Sequence, residues 1–517
     1  MERSNYDSPT PSKTAGICYL VGSGPGDPGL LTLRAKQCIE EADVVAYDYL
    51  SGADLLCYAR PDAEIIYVGK KAKDHTLPQE DINALLADRV AAGKIVTRVK
   101  GGDPIIFGRG GEEAEYLHER GLKFEIVPGI SSSIAGPAYA GIPVTHRAFV
   151  SQFTVFTGHE DPTKAESSLD FKKLAQADGT KVMLMGVQRL REICAAFMSE
   201  GMSPDLPVAL VRWATTNRQQ TITGTLATIA DVAEEKQFKA PAVAVFGEVV
   251  SLRENLNWFE SRPLFGKRIV VTRTRRQASV LSDKLRRLGA DAFEIPTIRI
   301  QKPDDLMEFG RLVQDSHTYN WIVFTSPNGV EAFFDLFFKI YKDAREIGGA
   351  RIAAIGPGTA KKIAEYHLST DLIPEKYVAE GLVESLMKEE SVENLTFLWV
   401  RAQEARDVVS KSLTEAGAIV DDAIAYQTVM ETEDINGGRQ RLADEGADVI
   451  TFTSASTAEN FFKLGLSLPD GVKLASIGPV TSKAIIEQGH AVDIEAAQHD
   501  IPGLVDAIVQ YFAPTGN

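Results

Sequence analysis

The chain has 517 residues, with 55 lysines and arginines against 71 aspartates and glutamates, and a formal net charge of −16 at pH 7. Hydrophobic residues make up 44% and charged residues 24%, the composition of a globular protein long enough for two or three cores. The acidic balance argues against a general nucleic-acid binder, which presents a basic face.

No apolar run reaches the roughly 18 residues of a membrane span. Residues 1–14 are polar, without the apolar stretch of a secretory signal, and are expected to form a disordered tail. The cysteines, Cys18, Cys38, Cys57 and Cys194, include no CxxC pair. No metal site or disulfide framework is therefore expected, and a reducing cytoplasm fits.

From residue 16, apolar runs alternate with helical patterns. GICYLVG reads as a buried strand. Asp27-Pro28 looks like a helix cap with proline at the first helical position, followed by Leu31, Ala35, Cys38, Ile39 and Ala42 at helical spacing. VVAYD at 44–48 is the next strand. The alternation predicts α/β layers.

Four segments end apparent strands, where open α/β sheets place ligands: GSGPGDP (22–28), GGDPIIFGRGG (101–111), the glycine- and serine-rich 127–143, and KVMLMGV (181–187). The first is no dinucleotide fingerprint. Gly22 and Gly24 fit G-x-G, but Gly26 comes one residue early and Asp27 stands where the third glycine belongs. A tight strand-to-helix turn explains it equally well. The second is denser: Gly101-Gly102 permits close backbone approach, Asp103 offers a carboxylate to an amine or to ribose hydroxyls, and Glu112 and Glu113 open a helix at its positive end.

NLNWFESRPLFGK (255–267) breaks the pattern before IVVTR starts afresh. The expected domains are 15–255 and 266–513, with 256–265 as linker. The second half repeats itself. Arg273 in IVVTR pairs with Arg401 in LWVR, Gly289 in RLGA with Gly417 in EAGA, and Ser326 in FTSPNGVEAFF with Ser454 in FTSASTAENFF, all at one offset. Gly356 in AAIGPGTAKKI pairs with Gly478 in ASIGPVTSKAI at a slightly shorter one. Duplication predicts two similar lobes with a cleft between them. Thr325-Ser326, Thr453-Ser454 and the turns Gly356–Thr359 and Gly478–Thr481 should bring N–H groups and hydroxyls to helix starts, which favour anions. Lys267, Arg268, Arg273, Arg275 and Arg276 add a basic cluster, so a polyanion cleft is expected, although ordinary capping needs the same turns. On these residues alone this half reads as a binding module as readily as an enzyme.

Together, LVGSGPGDPGLLTLRA, VVAYDYL, GGDPIIFGRGGEEAEYL, VPGISSSIAGPAYAGIPVTHR and KAPAVAVFGEVVSLRENLNWF resemble the tetrapyrrole methyltransferases that act on uroporphyrinogen III with S-adenosylmethionine, over about residues 16–260. The resemblance implies a two-lobed α/β domain, usually a homodimer, and two methyl transfers to pyrrole carbons giving precorrin-2. It implies a cofactor site of Pro25, Gly101, Gly102, Asp103, Ile106, Ser131, Ser132, Met185 and Gly224. It also implies Asp48 as base and Lys70 as acid, and Arg98, Lys100, Arg109, His146 and Arg147 are cations available to the substrate's carboxylates. Ser131-Ser132 stands where the family often has Thr-Ala, and Tyr49 where it often has Arg.

The second half, through IVVTRTRRQASVLSDKLRRLGADAFEIPTI, FTSPNGVEAFF, AAIGPGTAKKI, DDAIAYQTV and FTSASTAENFF, looks like uroporphyrinogen III synthase over about 266–512. This implies a duplicated, flavodoxin-like α/β domain in which lobe one combines about 266–298 with 428–513 and lobe two is about 299–427. It implies closure of hydroxymethylbilane with inversion of the last pyrrole and no cofactor. Tyr426 would be the acid, and Arg273, Ser326, Asn328, Gly329, Thr359, Ser454 and Thr481 substrate contacts. One half's product is then the other half's substrate, which points to a bifunctional enzyme of sirohaem and cobalamin precursor synthesis. The alternatives are a methyltransferase of later corrin intermediates or of diphthine, and a methyltransferase carrying a non-catalytic tetrapyrrole-binding module.

Overall fold

The computed structural model describes residues 16–51, 53–69, 77–159, 169–272, 275–434 and 437–513. The chain divides into two compact units, Met1–Lys267 with Leu285–Asp291 and Phe512–Asn517, and Arg268–Lys284 with Ala292–Tyr511. No helix among the described residues is long and apolar enough to cross a membrane.

The first unit holds two five-stranded sheets. In one, Glu64–Tyr67, Val44–Tyr47, Ile95–Lys100, Ile17–Gly22 and Lys123–Val127 lie in that order, all parallel. Helices Gln79–Ala91 and Gly110–Glu119 pack Leu86 and Leu117 on one face, while helix Leu33–Glu41 packs Ala35, Cys38 and Ile39 on the other. A parallel sheet covered on both faces selects strands that are apolar on both sides. Ile95–Lys100 departs from this, because Arg98 and Lys100 are buried within it. In the second sheet the order is Phe153–Thr157, Thr180–Leu184, Ala242–Phe246, Pro207–Arg212 and Gln220–Thr225, with only the first pair parallel.

Asp27-Pro28 does not open the long helix expected of it. Asp27 caps only the short 3-10 turn Pro28–Leu30, Leu31 is extended, and Thr32 starts helix Leu33–Glu41 by accepting from the Ala35 N–H at 3.1 Å. The physical reason is that Asp27 is held from three sides. Its Oδ1 accepts from Gly29 N at 2.8 Å, its Oδ2 from the Tyr139 hydroxyl at 2.7 Å, and its own N–H donates to Thr215 Oγ1 at 3.1 Å.

The second unit also holds two five-stranded sheets, and they are interleaved in sequence. One runs Asp291–Glu294, Arg268–Val271, Val449–Phe452, Lys473–Ser476 and Ile494–Glu495, the 2-1-3-4-5 order of flavodoxin-like folds. The other runs Ile298–Gln301, Ile419–Met430, Thr396–Ala402, Trp321–Phe324 and Arg351–Ala354. Its last four strands are parallel and repeat the same winding, with Ile298–Gln301 added antiparallel at the edge. The duplication extends to the caps. Ser326 and Ser454 each accept a backbone N–H at the start of the helices Pro327–Ile340 and Ala455–Lys463, and Pro357 and Pro479 open the following helices.

Candidate functional site

Three adjacent strands of the first parallel sheet, Ile95–Lys100, Ile17–Gly22 and Lys123–Val127, end at the three glycine-bearing segments read from the sequence. The turns approach one another closely through their backbones. A Cβ on Gly22 would lie 2.5 Å from Gly129 N and 2.6 Å from Gly102 O, and one on Gly129 would lie 2.3 Å from Gly102 O. Gly24 and Gly102 exchange backbone hydrogen bonds at 3.1 and 2.7 Å. Gly102 has φ +71°, yet its Cβ direction is open: its nearest contacts would be Ser131 Cα and Ser132 N, both at 3.9 Å. Glycine is therefore demanded there by backbone conformation, and the space beside it is free for a ligand.

Asp103 stitches this surface together. Its Oδ1 accepts from Ile105 N at 2.8 Å and Ile106 N at 3.2 Å, and its Oδ2 from Gly129 N at 3.1 Å. Ser131, buried, caps helix Ser132–Tyr139 by accepting from Ser133 N at 3.2 Å. That helix packs on the second sheet, where Gly136 approaches Val243 and Ala214. Ile106 and Met185 are 40% and 52% exposed, an apolar surface left uncovered. Met185 has φ 56°, and Phe107, Arg109, Trp213 and Thr215 also have positive φ. Side chains rarely adopt that backbone, and such strain concentrates at functional loops. Pro25 is half-buried in the Gly-rich loop. Gly224 lies apart from this arrangement, on the edge strand Gln220–Thr225, where it faces Thr228 and Ile229.

Sequence reasoning missed Trp213–Thr216. Thr215 Oγ1 accepts from Asp27 N, and the Thr216 methyl closes on Gly26, so this turn grips the Gly-rich loop from the second sheet. Trp213 meets Tyr49 edge-on at 5.9 Å, and the Arg218 guanidinium lies over the Trp213 ring, 4.9 Å from its centroid. Only the letters WATT mark it in the sequence.

Asp48 follows strand Val44–Tyr47 at the same sheet end. Its Oδ1 accepts from Leu50 and Ser51 N–H at 3.1 and 3.2 Å, and its Oδ2 from Arg98 Nη2 at 3.0 Å. Lys70 lies outside the described residues. The reading of Arg98 and Lys100 as substrate contacts is corrected: their side chains are 5% and 6% exposed and both pair with the fully buried Glu113. Arg109 is exposed and paired with Glu112 at 2.5 Å. Arg147 is exposed, and His146 is half-buried in a tight turn closed by Val150.

In the second unit, Tyr426 is 7% exposed and its hydroxyl meets Ser326 Oγ at 2.9 Å. Ser326 Oγ also accepts from Gly329 N at 3.0 Å, and Asn328 reaches Tyr426 as well. Burial raises the Tyr426 phenol above its ordinary value, while its bonds to Ser326 and Asn328 act the other way. Thr359, buried, sits in the first turn of the helix after the neighbouring strand, Arg351–Ala354. Ser454 and Thr481 occupy the matching positions of the other lobe, after Val449–Phe452 and Lys473–Ser476. Arg273 lies outside the described residues. The basic cluster is corrected in part, because Arg268 begins the strand whose far end precedes Arg273, and it pairs with Glu445. Arg401, the repeat partner of Arg273, is buried and bonded to Asp422 and to three backbone carbonyls.

Comparison with known proteins follows the same division. Residues 18–230 match the family of Tetrapyrrole (Corrin/Porphyrin) Methylases, and residues 279–506 match Uroporphyrinogen-III synthase HemD. The chain is similar to the porphyrin biosynthesis protein HemD of Ruminiclostridium josui, 35% identical over 96% of this chain and 98% of that protein. It is also similar to the uroporphyrinogen-III C-methyltransferase of Bacillus subtilis, 42% identical over 73% of this chain and 78% of that one. A third relative, the S-adenosyl-L-methionine-dependent uroporphyrinogen III methyltransferase of Methanosarcina barkeri, is 53% identical over 47% of this chain and 94% of its own length. The chain thus belongs to the uroporphyrinogen-III C-methyltransferase family, in the form in which a tetrapyrrole methylase domain is followed by a uroporphyrinogen-III synthase domain.

Proposed function

We propose that the second unit closes hydroxymethylbilane to uroporphyrinogen III, inverting the last pyrrole, and that the first unit methylates that product twice with S-adenosylmethionine, giving precorrin-2. The observation that carries the methyl-transfer reading is the meeting of Gly22, Gly102 and Gly129 at one sheet end, with Asp103 across them and an open side at Gly102. The names of the relatives supply uroporphyrinogen III as methyl acceptor and S-adenosyl-L-methionine as donor.

The residues fit S-adenosylmethionine. It carries a ribose, an amino group and a sulfonium but no phosphate, and this sheet end offers a carboxylate, backbone groups and an exposed apolar wall. Pro25, Gly101, Gly102, Asp103, Ile106, Ser131, Ser132 and Met185 would hold it, with Trp213–Thr216 closing the far side. When bound, it supplies an electrophilic methyl group on a sulfonium. The chain's part is to align the pyrrole carbon, exclude water through Ile106 and Met185, and take up the proton that the methylated carbon loses. Asp48 suits that last role, since its side chain is 24% exposed and fixed by three donors. Lys70 is the companion acid. Arg109, His146 and Arg147 meet the carboxylates of the macrocycle.

In ring closure, the Tyr426 phenol donates a proton to the departing hydroxyl, which leaves as water, and the phenolate regains a proton from the terminal pyrrole carbon that forms the new carbon–carbon bond. Thr359, Ser454, Thr481, Asn328, Gly329 and Arg273 hold the chain's acetate and propionate groups. We further propose a homodimer through the first unit, supported by exposed Ile134, Phe149, Leu256 and Trp258, and a cytoplasmic location. Incubation with hydroxymethylbilane alone tests the synthase half: uroporphyrinogen III is expected, and the I isomer only would reduce the second unit to a binding module.

A further inference from the structure

Beside strand Ile95–Lys100 lies a buried charge network of which only Asp48 has a proposed role in either reaction. Glu113, in the first turn of helix Gly110–Glu119, is 1% exposed. Its Oε1 accepts from Lys100 Nζ at 2.8 Å and from Gln79 Nε2 at 3.1 Å, and lies 3.5 Å from Arg98 Nε. Arg98 is spanned between two carboxylates: Nε faces Glu113, Nη1 donates to Val99 O at 2.9 Å, and Nη2 donates to Asp48 Oδ2 at 3.0 Å. Two cations and two carboxylates thus form a closed set, of which only Asp48 reaches solvent.

Taking such charges out of water costs several kcal/mol per ion, and apolar replacements are often as stable, so this network is poor as a stability device. It is built imperfectly, too. Arg98 Nε and Glu113 Oε2 are buried without a hydrogen-bond partner among the described residues. Burial, with Arg98 nearby, pushes Lys100 below the usual amine range. What the network does geometrically is fix one object at the mouth of the site. Arg98 cannot rotate without abandoning Glu113, and Asp48 cannot turn without abandoning Arg98.

We infer that Glu113 is a positioning residue for methyl transfer, acting through Arg98 to hold Asp48 in its proton-accepting orientation. The inference rests on the proposed role of Asp48. Its test uses the full chain with uroporphyrinogen III and S-adenosylmethionine, and calorimetry of S-adenosylmethionine binding. Glu113→Gln, which keeps shape and removes charge, should lower kcat at least tenfold while KM and cofactor Kd change less than twofold. K100M/E113Q removes one buried cation with the carboxylate, guarding against misfolding, and should show the same loss of kcat. Wild-type kcat in either variant would overturn the inference, since Glu113 would then only balance Lys100. A loss of cofactor binding in step with kcat would also overturn it, placing the effect on the Gly101–Asp103 turn. Full activity of Asp48→Asn would refute instead the role of Asp48, and an inactive wild-type chain would refute the methyl-transfer reading itself.

Discussion

Replacing Asp103 separates a residue that touches the cofactor from one that shapes its site. In this structure the carboxylate already accepts three backbone N–H groups, from Ile105, Ile106 and Gly129. Hydrogen bonds to a charged acceptor contribute about 1.5–3 kcal/mol when sheltered and less in water. With about 2 kcal/mol for the half-buried Gly129 bond and about 1 kcal/mol for the exposed pair, Asp103→Ala should release about 3 kcal/mol of loop order. Recovering that order on binding weakens Kd by about two decades. Asp103→Asn keeps a neutral acceptor for Ile105 and Ile106 but sets an amide donor against Gly129 N–H, so about one decade is expected. Calorimetry with S-adenosylmethionine on the full chain measures both. Binding by Asp103→Ala within twofold of wild type would refute the argument.

Three further outcomes follow from the geometry. Tyr426→Phe removes the hydroxyl with its bonds to Ser326 and Asn328, so unfolding should become easier by only about 1–3 kcal/mol, whereas loss of a general acid should slow ring closure at least about 100-fold; a stability change without a rate change would make Tyr426 packing. Burial raises the Tyr426 phenol above its ordinary 10.0, so the native state keeps this proton after the unfolded chain has lost it. That contribution to stability therefore falls as pH rises through and above about 10, and the acid itself persists to that pH; an alkaline loss of ring closure near pH 8 that depends on Tyr426 would contradict this. Gly129→Ala would press a Cβ to 2.3 Å from Gly102 O, so it should unfold the first unit by several kcal/mol or shift the Gly102 turn and abolish cofactor binding, checked by thermal unfolding and calorimetry.

Local chemistry was legible and distant partners were not. The Gly101–Asp103 turn could be read from its letters because glycine spacing reports backbone approach, and Gly102 does carry a positive φ. The duplicated caps were legible for the same reason, since Ser326 and Ser454 bond within their own first turns. Asp27 was misread as a long-helix cap because the groups that hold it, Tyr139 and Thr215, are remote in sequence. Arg98 and Lys100 looked like cations awaiting a substrate, because nothing in IVTRVK announces that Glu113 will be folded over them. The basic run from Lys267 to Arg276 looked continuous in sequence, but a strand separates its first members from its last. Trp213–Thr216 has no motif at all; its role comes from where the second sheet delivers it.

The central claim is that one chain performs both steps in succession. Supplying purified chain with hydroxymethylbilane and S-adenosylmethionine, and following products by absorbance and mass, tests it most directly. The account predicts a dimethylated product of the III isomer, precorrin-2, with uroporphyrinogen III alone when S-adenosylmethionine is withheld. Unmethylated uroporphyrinogen III in the presence of both, or only products of the I isomer, would contradict it.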